Sequence, residues 1–321
     1  MLSPAIQLTD ALKSISRNDQ IKTYIRQSEE LYPLLWKAAR RFVTGESKVE
    51  AIDVANQLLA KGYAVSVEYI GENTSTVEEC EKVKDEFLAV IEGLGGGSSR
   101  ESISLDLSHI GLTVSKSLAY TNLLELAEKA QESGISIMIG MEESSKTDAI
   151  LDIYKRVTDQ YPNVGVTLQA HLHRSQQDLK ELLHFPGRIR LVKGAYQESA
   201  GTSFSRSTEL NDRYLNMAMQ ILRAKHPVSI ATHDEVVLQE LELRYELTSG
   251  TYAEYEMLYG IRPERISELK RRGNSCRVYL PYGQEWYLYV CHRIAENPEN
   301  LYQAVADMIH PFEGEGSLDY E

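Results

Sequence analysis

Cysteine is scarce in this chain of 321 residues, and the three present, Cys80, Cys276 and Cys291, have no zinc-type spacing and cannot all pair with one another. Free thiols in a reducing cytoplasm are the expectation. No run approaches the roughly 18 apolar residues of a membrane-spanning helix, and the N-terminus shows no basic segment followed by an apolar stretch. That argues against secretion and membrane spanning. Basic residues are also in deficit: the formal net charge of -13 disfavours nucleic acid or an anionic membrane surface as the main partner, local clusters such as Lys270-Arg271-Arg272 notwithstanding. Finally, nucleotide signatures are missing. There is no Walker-type loop and no GxGxxG after the first strand-like run, and the glycine-rich stretch 93–97 follows a helical pattern, where it reads as a terminator.

What is present is a rhythm. Residues 1–46 are helical in pattern, with Leu31, Leu34, Leu35, Ala38 and Phe42 on one stripe, and read as a helical arm. From Tyr63 onward β-rich runs alternate with amphipathic stretches. Strands are predicted at 64–70, 102–107, 136–141, 165–171, 189–193, 228–232, 253–258 and 276–280, with helices such as 77–92, 117–133, 147–160, 208–225 and 264–272 between them. The alternation fits either a (β/α)8 barrel or an open doubly wound sheet, and the count favours the barrel, spanning 60–311. The acidic, glycine-containing segment 312–321 reads as a mobile tail.

In a barrel the chemistry lies where strands hand over to loops. Reading each strand with period two picks out a polar set there: Glu68 and Glu72, Ser104 and Asp106, Glu142, then Gln169, His171 and His173, Arg190, Lys193 and Tyr196, His233, Glu254 and Glu256, Arg277 and Tyr279. The last strand and the helix after it (RVYLPYGQEWYLYVCHRIAEN) place cations and a phenol together, which suits an anionic or flat aromatic ligand. An alternative is a metal held by His171, His173, His233 and Asp106. Barrel hydrolases usually carry the His-x-His on the first strand rather than the fourth, so no metal is assigned.

Taken together, VEYIGEN (67–73), TLQAHLHR (167–174), RLVKGAY (190–196), IATHD (230–234), EMLYGIR (256–262), RVYLPYG and WYLYVCHRIAENP resemble the proline dehydrogenases, in order over most of the chain. The resemblance, to the short monofunctional bacterial type, implies FAD and oxidation of a small-molecule amine to an imine by hydride transfer to flavin N5. The electrons then pass to a quinone or another acceptor, so peripheral membrane contact is compatible with it. By the same resemblance Arg190 lies beside the flavin N5 and forms the catalytic pair with Tyr279, while Gln169, Lys193, His233 and Glu296 hold or flank the FAD. Leu191, Tyr196, Tyr279 and Tyr289 match the wall around the substrate ring, Arg293 matches one arginine of a carboxylate clamp, and Glu72 matches the acid that closes the site. The departures cluster on the substrate side. Asp106 stands where the family has lysine, His292 where it has the other arginine, Gly140 where it has aspartate, and His171 where tyrosine is usual.

A substrate altered from free L-proline is therefore expected, with His109 a candidate replacement cation. True L-proline dehydrogenation and a non-catalytic FAD- or metabolite-binding relative are the alternatives.

Overall fold

The computed structural model describes residues 11–12, 14–15, 18–71, 74–95, 100–196, 198–244, 252–296, 299–309 and 320–321. Eight parallel strands close into one barrel in sequence order: β1 (Ala64–Tyr69), β2 (Glu101–Leu105), β3 (Ser136–Ile139), β4 (Val164–Gln169), β5 (Ile189–Val192), β6 (Val228–Ala231), β7 (Ala253–Leu258) and β8 (Cys276–Tyr282). The helices in chain order are α1 (Asp19–Gln27), α2 (Leu31–Ala39), α3 (Lys48–Ala60), α4 (Val77–Leu94), α5 (Lys116–Glu132), α6 (Thr147–Thr158), α7 (Ser175–Leu182), α8 (Thr208–Arg223), α9 (Glu235–Arg244), α10 (Pro263–Arg271), α11 (Trp286–Glu296) and α12 (Glu299–Ile309). Local chemistry sets their starts. Ser47 with Glu50, and Thr76 with Glu79, each form a reciprocal capping box at the heads of α3 and α4.

Period-two alternation sorts each strand into two faces. Outward residues such as Val65, Val67, Ile103, Leu105, Ile137 and Val166 build the apolar layer between strands and helices. The inward residues are polar: Ser66, Ser102, Ser104, Thr167, Arg190, Glu254, Glu256 and Arg277 are all buried. A barrel interior is ordinarily a packed apolar core. This one is a ladder of ion pairs and hydroxyls, and every rung needs a partner.

The arm is less simple than a separate domain. α3, lying between the expected arm and the barrel, packs on β1 and β8 and so fills the outer wall where the barrel closes. α2 packs instead with α11 and α12, through Ala38, Ala39 and Phe42 against Trp286, Val290 and Ile294. Leu34, placed on the apolar stripe by sequence, is 39% exposed, and Tyr32 and Trp36 take its role against Trp286. The tail differs from expectation at its end. Tyr320 is buried beside Tyr63 and Tyr259, its hydroxyl accepts the Gly260 N–H at 3.0 Å, and the Glu321 carbonyl oxygen accepts from Tyr63 and Lys270. An aromatic ring that finds an apolar slot and a backbone donor holds the terminus that acidic composition suggested was mobile. Residues 310–319 lie outside the described residues. No helix among the described residues is long and apolar enough to cross a membrane.

Candidate functional site

At the C-terminal ends of the strands the polar interior opens into a cavity of about 1650 Å³, lined by Glu68, Asp106, Gly140, Gln169, Arg190, Lys193, Tyr196, His233, Tyr279, Tyr289 and Arg293 among others. Sites for one small ligand usually hold roughly 300–1,000 Å³. This volume admits a large cofactor and a small substrate together.

Arg190 is the best-fixed group in it. Period two turns it inward from β5, where Nε donates to Glu256 Oε2 at 3.1 Å, Nη1 to Ser104 Oγ at 2.9 Å and Nη2 to Ser66 Oγ at 3.1 Å, with Nη2 also 2.8 Å from Glu256 Oε1. Its guanidinium lies 5.0 Å from the centre of the Tyr279 ring, and the Tyr279 hydroxyl donates to Glu68 Oε2. Burial pushes the Glu68 carboxyl up, against the pull of Tyr279, Arg190 and Arg293. Cation, phenol and acid thus form one held group.

A second wall is built from His233, Lys193 and Gln169. His233 Nε2 accepts the Leu258 N–H at 3.2 Å, so the neutral ring carries its proton on Nδ1, and that atom is buried with no partner among the described residues. Burial, then the Arg293 and Arg262 charges, lowers its pKa to about 3. Lys193 donates to Asp234 and Asn211, and Gln169 Nε2 donates to the Glu142 carbonyl at 2.9 Å. An unpartnered buried donor in the wall of a large cavity, a cation beside it and an immobilised guanidinium below are the complement of a flat, electron-rich, hydrogen-bond-accepting cofactor such as a flavin. The residues present fit that group.

The third wall is acidic. Glu142 accepts from the Ser108 N–H at 3.0 Å and pairs with Lys146 at 2.7 Å. A Cβ at Gly140 would lie 2.0 Å from Asp106 Oδ1, so the carboxylate occupies the space that a side chain at 140 would take. Arg293 lines the same cavity on the side of Glu68 and His233, its guanidinium 5.0 Å from the centre of the Tyr289 ring. Glu72 lies outside the described residues, as do the side chains of His292 and Glu296.

Several residues singled out by sequence lie elsewhere. Leu191 does not line the cavity; it is fully buried in the outer apolar layer, as its place between inward Arg190 and Val192 requires. Arg277 sits low in the barrel, donating from Nε to Glu254 Oε1 at 2.7 Å and from Nη1 to Ser102 Oγ at 2.9 Å, so this pair is structural. His171 and His173 turn to separate backbone carbonyls, of Lys193 at 2.9 Å and Ala200 at 3.2 Å. Among the described residues no three His, Cys, Asp or Glu side chains converge as a metal would need. The His171 ring is locked under Gly194, whose φ of +109° and 1.5 Å approach of a notional Cβ to Nδ1 demand glycine.

His109 is not a replacement cation. It stacks on Tyr69, with ring centres 5.4 Å apart, edges onto Phe87, and burial lowers its pKa to about 4 against the Tyr69 backbone bond that raises it. A histidine held neutral on folding contributes stability fully above its unfolded pKa of about 6.5, and that stability is lost as pH falls toward about 4. Between pH 7 and 5 a His109→Phe variant should therefore lose about 2 kcal/mol less than wild type in urea unfolding. Equal losses in the two proteins would show that His109 is charged.

Sequence reasoning missed some contributors. Thr167 faces the cavity with its Oγ1 buried and unpartnered among the described residues, and nothing distinguishes it in sequence from a core threonine. Arg262 adopts φ +53° and donates to the His233 carbonyl at 2.9 Å and to Glu235, fixing the loop after β6. Asp234 accepts from Lys193. The motifs EMLYGIR and IATHD carry the latter two, so position within a motif was the available signal.

A family model described as Proline dehydrogenase matches residues 51–304. Proline dehydrogenase 1 of Bacillus subtilis (strain 168) is 34% identical over 267 residues, 82% of this chain and 87% of that protein. The proline dehydrogenase of Deinococcus radiodurans is 31% identical over 307 residues, 93% and 97% of the two chains. Among solved structures, proline utilization A from Bdellovibrio bacteriovorus, inactivated by N-propargylglycine, superposes with a TM-score of 0.75 at 18% identity, covering 95% of this chain and 39% of that one. This likeness is one of fold, and the chain spans about two fifths of that larger protein.

Proposed function

The chain belongs to the proline dehydrogenase family of flavin-dependent oxidoreductases, and on that premise we propose that it uses FAD to oxidise a cyclic or secondary amine other than free L-proline to an imine. FAD, when bound, would supply the two-electron acceptor for a hydride from the carbon beside the unprotonated amine; the nitrogen lone pair closes the C=N bond as an iminium, which loses its N–H proton to water to become the imine. Gln169, Lys193 and His233 would hold the cofactor, with His233 Nδ1–H as donor, and the resemblance adds Glu296.

Arg190 acts by electrostatics. Because Glu256, Ser104 and Ser66 fix it, its charge is in place before negative charge arrives and no reorganisation is needed. Tyr279 and Glu68 keep a proton between them at the same level, and Tyr196 and Tyr289 wall the substrate. The electrons leave to a quinone or another acceptor.

The observation that carries the altered substrate is the Asp106 carboxylate in the space above Gly140. No lysine or arginine among the described residues answers an anion at that spot: carboxyls of Asp106, Glu68 and Glu142 face it, and Lys146 is already paired to Glu142 and Glu143. Each charged hydrogen bond missing from a carboxylate clamp costs about 1.5–3 kcal/mol, so losing two weakens L-proline by roughly two to four orders of magnitude. A second reading, unaltered L-proline, is favoured by the names of the relatives and by Arg293 on the cavity wall.

The purified protein should be yellow, release FAD on denaturation and lose its colour anaerobically on addition of a cyclic amine that carries no carboxylate. A colourless protein that takes up no added FAD would overturn the reading.

A further inference from the structure

Asp106 has a side chain without a hydrogen-bond or ion-pair partner among the described residues, although charged groups face it from several elements. Glu68 comes from β1, Glu142, Glu143 and Lys146 from the loop after β3, and Tyr196 from the loop after β5. Neither the lysine nor Glu68 is available to it: Lys146 is shared by Glu142 at 2.7 Å and Glu143 at 3.2 Å, and Glu68 takes the Tyr279 hydroxyl. Its position is nevertheless fixed. The Gly140 N–H donates to the Leu105 carbonyl at 2.8 Å, so β2 and β3 stay paired up to this point and the carboxylate fills the gap that glycine leaves.

Thr167 is independent of the acids. It is 5% exposed, pairs in register with Arg190, lines the same cavity, and its Oγ1 finds no partner among the described residues. Ile139 pairs with Leu105 on one side and Val166 on the other, so one step further along Gly140 separates Asp106 from Thr167. A carboxylate and an unsatisfied hydroxyl thus flank a position with no side chain. A buried hydroxyl is costly to leave without a partner, and beside it the half-buried Asp106 carboxyl opens to the cavity with none among the described residues. One group satisfies both: a compact cation with several N–H donors.

Resting on the altered-substrate reading above, we propose that Asp106, Gly140 and Thr167 form a subsite for a second, positively charged nitrogen of the substrate, which is therefore a diamine: a cyclic or secondary amine bearing a short ammonium arm. The second nitrogen undergoes no chemistry. It donates to Asp106 and Thr167 and sets which end of the molecule faces the flavin.

The subsite has a proton signature. Burial, then Glu68 and Glu142, pushes the Asp106 carboxyl well up, while a bound cation favours its ionised form. Binding the cation therefore favours loss of any proton that free Asp106 holds, and affinity rises with pH until free Asp106 is itself ionised.

Two probes differ in the charge of their arm and have ring oxygen where the oxidisable nitrogen would be: tetrahydrofurfurylamine, a cation, and tetrahydro-2-furoate, an anion. In calorimetry on the holoenzyme the cation should bind about 50-fold or more tighter than the anion, with net proton release, larger at lower pH, read from buffers of different ionisation heat. Asp106→Asn should weaken the cation by about 10-fold or more and abolish the proton release. Gly140→Ala, which evicts the carboxylate, should do the same. Equal affinities, tighter binding of the anion, or a cation affinity indifferent to Asp106→Asn would each overturn the subsite. Should the variants fail to fold, the wild-type comparison and its proton release still decide. Bleaching of the flavin by L-proline as in an ordinary relative would sink the underlying reading. Indifference to L-proline without preference for the cation would sink the subsite alone.

Discussion

Replacing Arg190 with methionine should lower kcat/KM for the oxidised amine by about 10²–10³-fold, the usual cost of removing one preorganised electrostatic stabiliser. The same change should destabilise the barrel by roughly 3–5 kcal/mol, because Glu256, 3% exposed, loses the cation that compensates its burial. The two effects separate. In Arg190→Met/Glu256→Gln no uncompensated charge remains, so thermal stability should largely return while activity does not. Recovery of both together would mean that Arg190 matters only for folding. Arg190→Lys should fall between, since an ammonium keeps the charge but cannot reach Glu256, Ser104 and Ser66 in one planar fork.

Glu254→Gln should be the most destabilising single change low in the barrel, by about 3–5 kcal/mol, because Arg277 is left buried without its partner. Burial alone would raise the Glu254 carboxyl, but Arg277 and Arg188, with hydrogen bonds from Arg277 and Ser229, overcome it and hold it at about 2. A carboxyl depressed on folding gives stability that is complete above its unfolded value of 4.5 and is lost as pH falls through about 2. That component amounts to about 3 kcal/mol. The variant should therefore show both a lower denaturation midpoint at neutral pH and a flatter loss of stability below pH 4.5 than wild type. Unchanged acid behaviour would place the acid sensitivity in other groups.

Much of the molecule was legible in sequence because one rule, alternation along a strand, acts at every position. It set the strands to within a few residues and turned Arg190, Glu256 and Tyr279 inward. The rule gives the face and not the depth. Glu254 and Arg277 share it with Glu256 and Tyr279, yet each comes two residues earlier in its strand, so they pair below the cavity instead of lining it. Leu191 shows the converse, since a motif match placed it in the substrate wall while its parity already placed it outside. Charge was the least legible property. Whether His109 is a cation depends on Tyr69 and Phe87, which stack and edge against it and arrive from other elements. The joint meaning of Asp106 and Gly140, separate oddities in sequence, appears only when a notional Cβ meets the carboxylate.

Whether the substrate is altered is decided by the rate at which L-proline at millimolar concentration reduces the bound flavin under anaerobic stopped-flow conditions, beside the Bacillus subtilis relative. Reduction slower by about 100-fold or more is expected, with a cyclic amine that carries no carboxylate outpacing L-proline on this protein. Reduction by L-proline at the relative's rate would contradict the altered substrate and make the chain an ordinary proline dehydrogenase.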